Sequence, residues 1–490
     1  MLGNLFKKRE INPIKHLSFE SYLKTFVDID SEPPKESITV KQKLNQIFSN
    51  SFDFSERSFH LPNNRPVYIC YFSALISQPQ LEESVIKPLL HHFDHVTTSE
   101  NLGSIITVTK YERVTDWNMA VQSVLDGNIL VHIDQLDPVI VFLAEKLDRS
   151  PNDPTTEYQV YGAKFSFIED SRKNVGVMRQ FIKDPRLKSK GYDVGVVSNT
   201  QVAVLYLEQY CEPKVIQHLD QLIKSYKKEH LLTIGQLTKY ISKHPNSIFP
   251  QATMSERPDL VAYSLIQGKV VIFLDNSTFC AITPVTLMDL LETSEDHFFL
   301  VRWNLLFIRI LRISSLFIGT ILPALYVALV AFQPELIPTT LTISVAQSRV
   351  QIPLPATAEA ILMMFALDVL VEASIRLPSF VGQTIGIVGG LVIGTAAVEA
   401  GIVSHTMVIV IAFTAIALFT TPSWEFVSSW RIIRYLLVGV STLLGLYGLT
   451  LAVGFLIVHL CKLDSFDKPY MYPLAPFDKY ELKRFFLPLR

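Results

Sequence analysis

Ile313-Ser-Ser-Leu-Phe-Ile-Gly-Thr-Ile-Leu-Pro-Ala-Leu-Tyr-Val-Ala-Leu-Val-Ala-Phe332 is a run of twenty residues without a charge. As a helix rising 1.5 Å per residue it is about 30 Å long, the thickness of a bilayer's hydrocarbon core. Pro323 inside it removes a backbone hydrogen bond, so a kink is expected there. Outward from this stretch, no lysine occurs between Lys269 and Lys462. From Ile313 to Cys461 the only bases are Arg349, Arg376, Arg431 and Arg434. The chain has 490 residues, 49% hydrophobic and 18% charged, with a mean hydropathy of +0.28. An ordinary soluble protein does not concentrate apolar sequence in this way. The reading is a membrane protein with a large polar N-terminal part.

Further spans are expected at about 380–398, 402–421 and 435–460, with the first at 313–332. Glu399-Ala-Gly401 is a tight turn, and Trp424, Trp430, Arg431 and Arg434 read as an interfacial loop anchoring both neighbours. The segment 356–375 is apolar enough to enter a membrane but carries Glu359, Asp368 and Glu372. If it spans, there are five crossings. The arginines of 302–312, Arg376 and Arg431/Arg434 then fall on one side, as the positive-inside rule asks. If it is re-entrant or interfacial there are four. Five is the favoured count.

Acids within membrane sequence are costly and mark functional sites by default. Asp368, Glu372 and Arg376 are spaced i, i+4, i+8, so they share a helical face and can pair along it. Glu359 lies nine residues before Asp368, about half a turn away round the helix at roughly 100° per residue. One reading is a water-filled path lined by copies of this helix, since rings of carboxylates concentrate cations. The other is an amphipathic helix at the interface with a self-neutralising strip. Glu399 is a turn residue or a gate. His405, at the start of a span, is a proton relay or a solvated helix end. Gly386, Gly390 and Gly394 suit close helix packing.

The polar part divides into a loosely attached extension over 1–60, with a short helix near Val40–Phe48, and two subdomains at 61–155 and 156–300. The membrane domain covers 301–462 and a tail 463–490. Val67–Phe72, Ser104–Thr109, Ile129–Ile133 and Val139–Leu143 are rich in β-branched residues and read as strands. Thr115–Leu125 and Val215–Lys227 carry helical spacing. Ser123-Val-Leu-Asp-Gly127 runs into Asn128-Ile-Leu-Val-His-Ile-Asp134, and Ser264-Leu-Ile-Gln-Gly268 into Lys269-Val-Val-Ile-Phe-Leu-Asp275. Each is a helix stopped by Gly, then a strand ending in Asp. Two readings stay open: duplicated subdomains meeting near 150–165, or a unit common to many α/β proteins. The fold class is therefore an α/β (or α+β) cytoplasmic N-terminal part of two subdomains followed by an α-helical polytopic membrane domain.

Several classes are excluded or disfavoured. A net charge of -2 without a basic block argues against nucleic-acid binding. Cys70, Cys211, Cys280 and Cys461 are far apart, so neither a metal site nor a disulfide framework is expected. No catalytic triad, metal cluster or phosphate loop appears at motif spacing, so no enzyme and no cofactor are expected. The first ten residues lack an apolar run after their bases, so no secretory signal is expected and the polar part is placed in the cytoplasm.

Leu322-Pro-Ala-Leu-Tyr-Val-Ala-Leu329, Pro334-Glu-Leu-Ile-Pro-Thr339, Pro353-Leu-Pro-Ala-Thr-Ala-Glu359, Glu372-Ala-Ser-Ile-Arg-Leu-Pro378 and Gly382-Gln-Thr-Ile-Gly-Ile-Val-Gly-Gly-Leu-Val-Ile-Gly394 resemble the A subunits of GerA-type spore germination receptors. The resemblance is dense over about 300–475. It thins upstream to Phe249-Pro-Gln251, Glu256-Arg-Pro-Asp259, Gly268, Asp275 and Glu169-Asp-Ser171 with Asn174 and Arg179. Departures from the family pattern fall at Gly162-Ala163, Met178-Arg-Gln-Phe181, Met364, Asp368, Val371, Ser374 and Thr395. They leave open both a nutrient-responding subunit and a divergent paralogue.

The resemblance implies an integral protein of the spore inner membrane, its N-terminal part on the core side, acting with a nutrient-recognising B subunit and a lipoprotein C subunit. It implies self-association into a ring, with five as the implied number, forming a nutrient-gated cation channel among membrane lipids. On this reading Glu359, Asp368 and Glu372 set the pore electrostatics with Arg376 as partner. A secondary transporter and a non-conducting scaffold subunit are the alternatives.

Overall fold

The computed structural model describes residues 18–61, 64–91, 102–144, 157, 165–298, 300–377, 390 and 394–487. The chain divides into two compact units. One comprises Met1–Pro245 with Met254–Pro284, the other Asn246–Thr253 with Val285–Arg490.

The first unit contains two five-stranded sheets. Strands β1 (Phe54–His60), β2 (Pro66–Phe72), β3 (Tyr111–Arg113), β4 (Ile129–Ile133) and β5 (Val139–Val141) take the order β1-β2-β4-β5-β3. Strands β6 (Leu187–Val194), β7 (Thr200–Leu207), β8 (Thr253–Ser255), β9 (Val270–Leu274) and β10 (Cys280–Thr283) repeat it as β6-β7-β9-β10-β8. The pairs β1-β2, β2-β4, β4-β5, β5-β3, β6-β7, β7-β9 and β9-β10 are antiparallel, so of the two expected classes this part is α+β.

The two helix–Gly–strand segments occupy the same place in the two sheets. Helix α1 (Phe19–Leu23) and α2 (Ser37–Ile47) precede the first sheet. Helix α3 (Trp117–Leu125) then runs into Gly127 and β4. In the second half α4 (Ser171–Phe181) precedes the sheet, and α5 (Pro213–Lys224) and α6 (Ile234–Ile241) lie between β7 and β8. Helix α7 (Pro258–Ile266) runs into Gly268 and β9. Gly127 and Gly268 have φ of +91° and +81°, left-handed values that a Cβ would oppose.

The aspartate closing each strand has a matching task. The carboxylate of Asp134 accepts from Ser37 N at 3.0 Å, and that of Asp275 from Ser171 N at 2.9 Å. The following residues, Gln135 and Asn276, both have positive φ. Their N–H groups donate to Lys35 O and Glu169 O. Each aspartate thus supplies an anion to the amide-rich start of its half's first long helix. The junction expected near 150–165 lies outside the described residues, apart from Glu157 and Phe165.

Three local expectations differ from the structure. Residues 18–60 are no loose extension: Leu23, Val27, Ile29, Val40, Leu44 and Ile47 are buried in the core under β2 and α3. Ser104–Thr109 is not a strand. Leu102, Ile105 and Ile106 bury at helical i, i+3, i+4 spacing, and a helical turn covers Leu102–Ile105. Val139–Leu143 stops as a strand at Val141.

The halves are joined through charge as well as chain. Asn50–Phe52 pairs alongside Ser189 of β6. There Asp53 is gripped by Arg179 through Nε and Nη2 and by the Ser189 hydroxyl, with Asp53 and Arg179 both buried. The guanidinium lies 3.9 Å from the Phe72 ring centre. Beside it Lys188 is fully buried and donates to Ile47 O, the end of α2, at 2.9 Å. Burial pushes its ammonium down from an ordinary 10.5 to about 8.

In the second unit α8 (Arg302–Ala331), α9 (Thr339–Arg349), α10 (Ala356–Arg376), α11 (His405–Phe419), α12 (Trp424–Lys462) and α13 (Lys479–Phe486) are the main helices. Two of them, α8 and α12, are long and apolar enough to cross a membrane. Helix α11 is apolar but has only 15 residues. Of the expected span 380–398, only Gly390 and 394–398 lie within the described residues. Trp424, Trp430, Arg431 and Arg434 are not in a loop: they lie in the first turns of α12. Phe426, Trp430, Ile433, Arg434 and Leu437 bury at i, i+4, i+7, i+8, i+11, a helical stripe.

Helix α12 is interrupted at Gly445, whose φ is +60°. A Cβ there would stand 2.9 Å from Phe332 Cβ. The Leu446 N–H beyond the break donates instead to the Gln333 side-chain oxygen at 3.2 Å.

Two measurements check the first unit. Arg179→Met leaves Asp53 buried without its cation and is expected to cost about 3–5 kcal/mol in denaturant unfolding of the protein. Lys188 binds its proton less readily folded than unfolded, so it opposes folding below about pH 8. That opposition fades as pH rises from about 8 to 10.5. Wild-type stability should therefore rise across this window relative to Lys188→Met, and parallel profiles would refute the assignment.

Candidate functional site

Helix α10 begins after Pro353-Leu-Pro355, whose fixed φ values suit a helix entry, and carries four charges in an otherwise apolar sequence. Glu359, in its first turn, is completely buried. One carboxylate oxygen accepts from both the N–H and the hydroxyl of Ser404 at 3.0 Å. Ser404 is the N-cap of α11, its hydroxyl also accepting from Met407 N at 3.2 Å. Glu359 therefore sits as an anion at the start of α11, where the helix dipole favours one. Its other oxygen is 2.9 Å from Nη2 of Arg349, the last residue of α9. That guanidinium also donates to Leu354 O at 3.3 Å. One buried carboxylate thus ties α9, α10 and α11 together.

Asp368 faces elsewhere. Its Oδ1 accepts from Arg431 Nε at 3.0 Å and Arg434 Nη2 at 3.1 Å, and its Oδ2 from the Tyr435 hydroxyl at 2.7 Å. All three partners belong to α12. The expected strip along α10 is realised only in part: Arg376 pairs with Glu372 at 2.6 Å, both exposed, while Asp368 turns to α12. Glu359 and Asp368 lie on different sides of the helix, as their nine-residue separation requires.

The remaining expected positions stand apart from these two clusters. Glu399 is exposed at the end of the helical stretch 394–399, and His405 is exposed at the first position of α11. A Cβ on Gly394 would meet Val408 at 3.8 Å, ordinary contact, and one on Gly390 meets no atom within 4 Å among the described residues. Gly386 lies outside the described residues. No group of His, Cys, Asp and Glu among the described residues is placed to hold a metal ion.

Sequence reasoning passed over a third cluster, at the entrance to α8. Asp296 pairs with Arg312 at 2.8 Å and Arg309 at 3.5 Å. Glu292 pairs with Arg309 at 3.1 Å and His297 at 3.2 Å. Burial pushes the Asp296 carboxyl up, but Arg312 and Arg309 outweigh it and hold the group below its ordinary value. In the sequence Arg309 and Arg312 read only as basic residues preceding the first span. The signal for pairing was Glu292 and Asp296, which precede them by 17 and 16 residues across a short connection.

Residues 42–490 match the family described as Bacillus/Clostridium GerA spore germination protein. The chain belongs to the GerA family. YfkQ of Bacillus subtilis, described as a membrane protein, is 34% identical over 91% of this chain and 87% of its own length. Spore germination protein KA of Bacillus subtilis is 35% identical over 85% of this chain and 77% of its own. The crystal structure of the N-terminal domain of the A subunit of the Bacillus megaterium spore germinant receptor GerK3 is similar at 20% identity. It covers 53% of this chain and 98% of that one, with a TM-score of 0.39.

In this GerA-family chain the Glu359 tie is open to a direct test. Arg349→Gln removes the cation and leaves a buried carboxylate with only the Ser404 donors, a change expected to cost about 3–5 kcal/mol. Because α9 buries none of its own residues, the loss should appear first there. Amide exchange over 339–349 should quicken while that of α12 stays as in wild type. Unchanged exchange at α9 would show that the pair does not hold the helix.

Proposed function

We propose that this GerA-family protein is the A subunit of a spore germinant receptor. It acts with B and C subunits in the spore inner membrane, self-associating into a ring that conducts cations when nutrient is bound. The N-terminal unit lies on the core side, and the spans about 313–332, 356–375, 380–398, 402–421 and 435–460 form the membrane domain. The observation that supports the reading is the buried Glu359 on α10, held by Arg349 and Ser404.

Opening requires that Glu359 exchange at least one of these partners for water or a passing cation. Around a ring the freed carboxylates make a belt of negative potential, which admits cations and repels anions. Nutrient shifts the balance only by its differential affinity for the open state, so the closed contacts set the work it must do. The GerA family and its curated spore germination relatives support the receptor role.

A non-conducting scaffold is the second reading. It is favoured by one observation: both Glu359 and Asp368 are ion-paired with arginines of their own chain.

The experiment compares potassium release after nutrient addition in spores carrying wild type, a deletion, or Glu359→Gln at equal protein level. The deletion should abolish release to one nutrient, and Glu359→Gln should change its rate several-fold while the protein stays in the membrane. Normal release by Glu359→Gln would sink the pore role of this residue. Cysteine at the exposed position 372 separates the two readings: crosslinks between copies of this chain favour the ring, crosslinks to the B subunit the scaffold.

A further inference from the structure

The cluster around Asp368 is unbalanced. Two guanidiniums share one carboxylate, leaving a formal surplus of one positive charge. Arg434 is completely buried, and while its Nη2 reaches Asp368, its Nε and Nη1 have no hydrogen-bond partner among the described residues. A buried cation that is only half satisfied is strongly unfavourable in apolar surroundings, so a second anion is called for.

The surroundings say what kind of anion. Arg434 and Arg431 line a small pocket with Asp368, Leu418, Phe419 and Trp424. It encloses about 20 Å³, room for one water-sized group and not for a whole metabolite. The ligand must therefore present an oxygen from outside while its bulk stays at the mouth.

That mouth lies at the turn joining α11 to α12, where Phe419 and Trp424 are both exposed. A tryptophan there suits the boundary between lipid and water. From it an exposed stripe of Phe419, Ile416, Phe413 and Ile409 runs along α11 at helical spacing, a path for an acyl chain.

We propose that Arg434 and Arg431 form a binding site for the phosphate of an anionic phospholipid, whose chain lies along the outer face of α11. Arginine suits a phosphodiester; with Arg431 Nε and Arg434 Nη2 taken by Asp368, the donors left are the Arg431 Nη groups and either Nε or Nη1 of Arg434. The headgroup completes the coordination that Asp368 leaves open. The site is independent of whether the ring conducts.

The test uses the full chain purified in a neutral detergent, with thermal unfolding followed on addition of mixed micelles of phosphatidylglycerol or phosphatidylcholine, or of inorganic phosphate at the same concentration. Phosphatidylglycerol alone is expected to raise the midpoint. In Arg431→Gln, a partly exposed position, the concentration giving half the shift should rise about tenfold. Arg431→Lys, which keeps the charge without the fork, should fall between. Asp368→Asn, which frees both guanidiniums, should lower that concentration if it folds. Equal shifts with the two lipids, or a shift unchanged by Arg431→Gln, would overturn the proposal. Inorganic phosphate acting as well as the lipid would replace it with a free-anion site. A change of oligomer size in Arg431→Gln without a change in the lipid shift would assign the missing anion to a neighbouring copy.

Discussion

A carboxylate taken out of water needs a cation within reach, and the buried framework of this protein is arranged around that need. Asp53 with Arg179 binds the halves of the first unit. In the second unit Glu359 with Arg349, Asp368 with Arg431 and Arg434, and Asp296 with Arg309 and Arg312 each fix one helix against others. Replacing such pairs by apolar side chains is often neutral for stability elsewhere. Their value here is geometric. Each carboxylate selects which helix faces meet, because only one arrangement brings its cation within reach.

The repeated half of the first unit rests on a cheaper device. Asp134 and Asp275 each lie seven residues beyond a left-handed glycine, and each holds the start of a helix that precedes its sheet in the chain. The strand end is thereby fastened to the beginning of its own half. The shared strand order and these two contacts make a common origin for the halves a simpler account than chance recurrence of a helix–Gly–strand unit.

Much of this was legible where the signal is local. The β-branched runs at 67–72 and 129–133 became central strands because continuous apolar sequence of that length needs cover on both faces. The extent of α10 followed from its largely apolar sequence between Pro355 and Arg376, and the Glu372–Arg376 pair from its spacing. The contacts that fasten Glu359 and Asp368 were not legible. Arg349 reaches back over a proline turn, and Arg434 comes from 66 residues away. The short helix near Val40–Phe48 is found as α2, whereas α1 and the packing of residues 18–36 were missed because Leu23, Val27 and Ile29 are dispersed among polar residues, with no sustained period to betray that they are buried.

The interruption at Gly445 makes the longest helix of the protein two levers meeting at a pivot. Up to that point α12 is committed by Trp430, Arg434 and Leu437, all buried. Beyond it, the Gln333 amide and the edge of Phe332 hold the second lever at the joint, where an unbroken helix would have its own ladder. A neutral hydrogen bond contributes only about 1 kcal/mol. Packing therefore holds the bend: Phe249 meets Trp430 before the break and His459 after it, so the chain turns back on itself at Gly445, and Tyr470 and Phe485 of the tail share the buried core of Trp430.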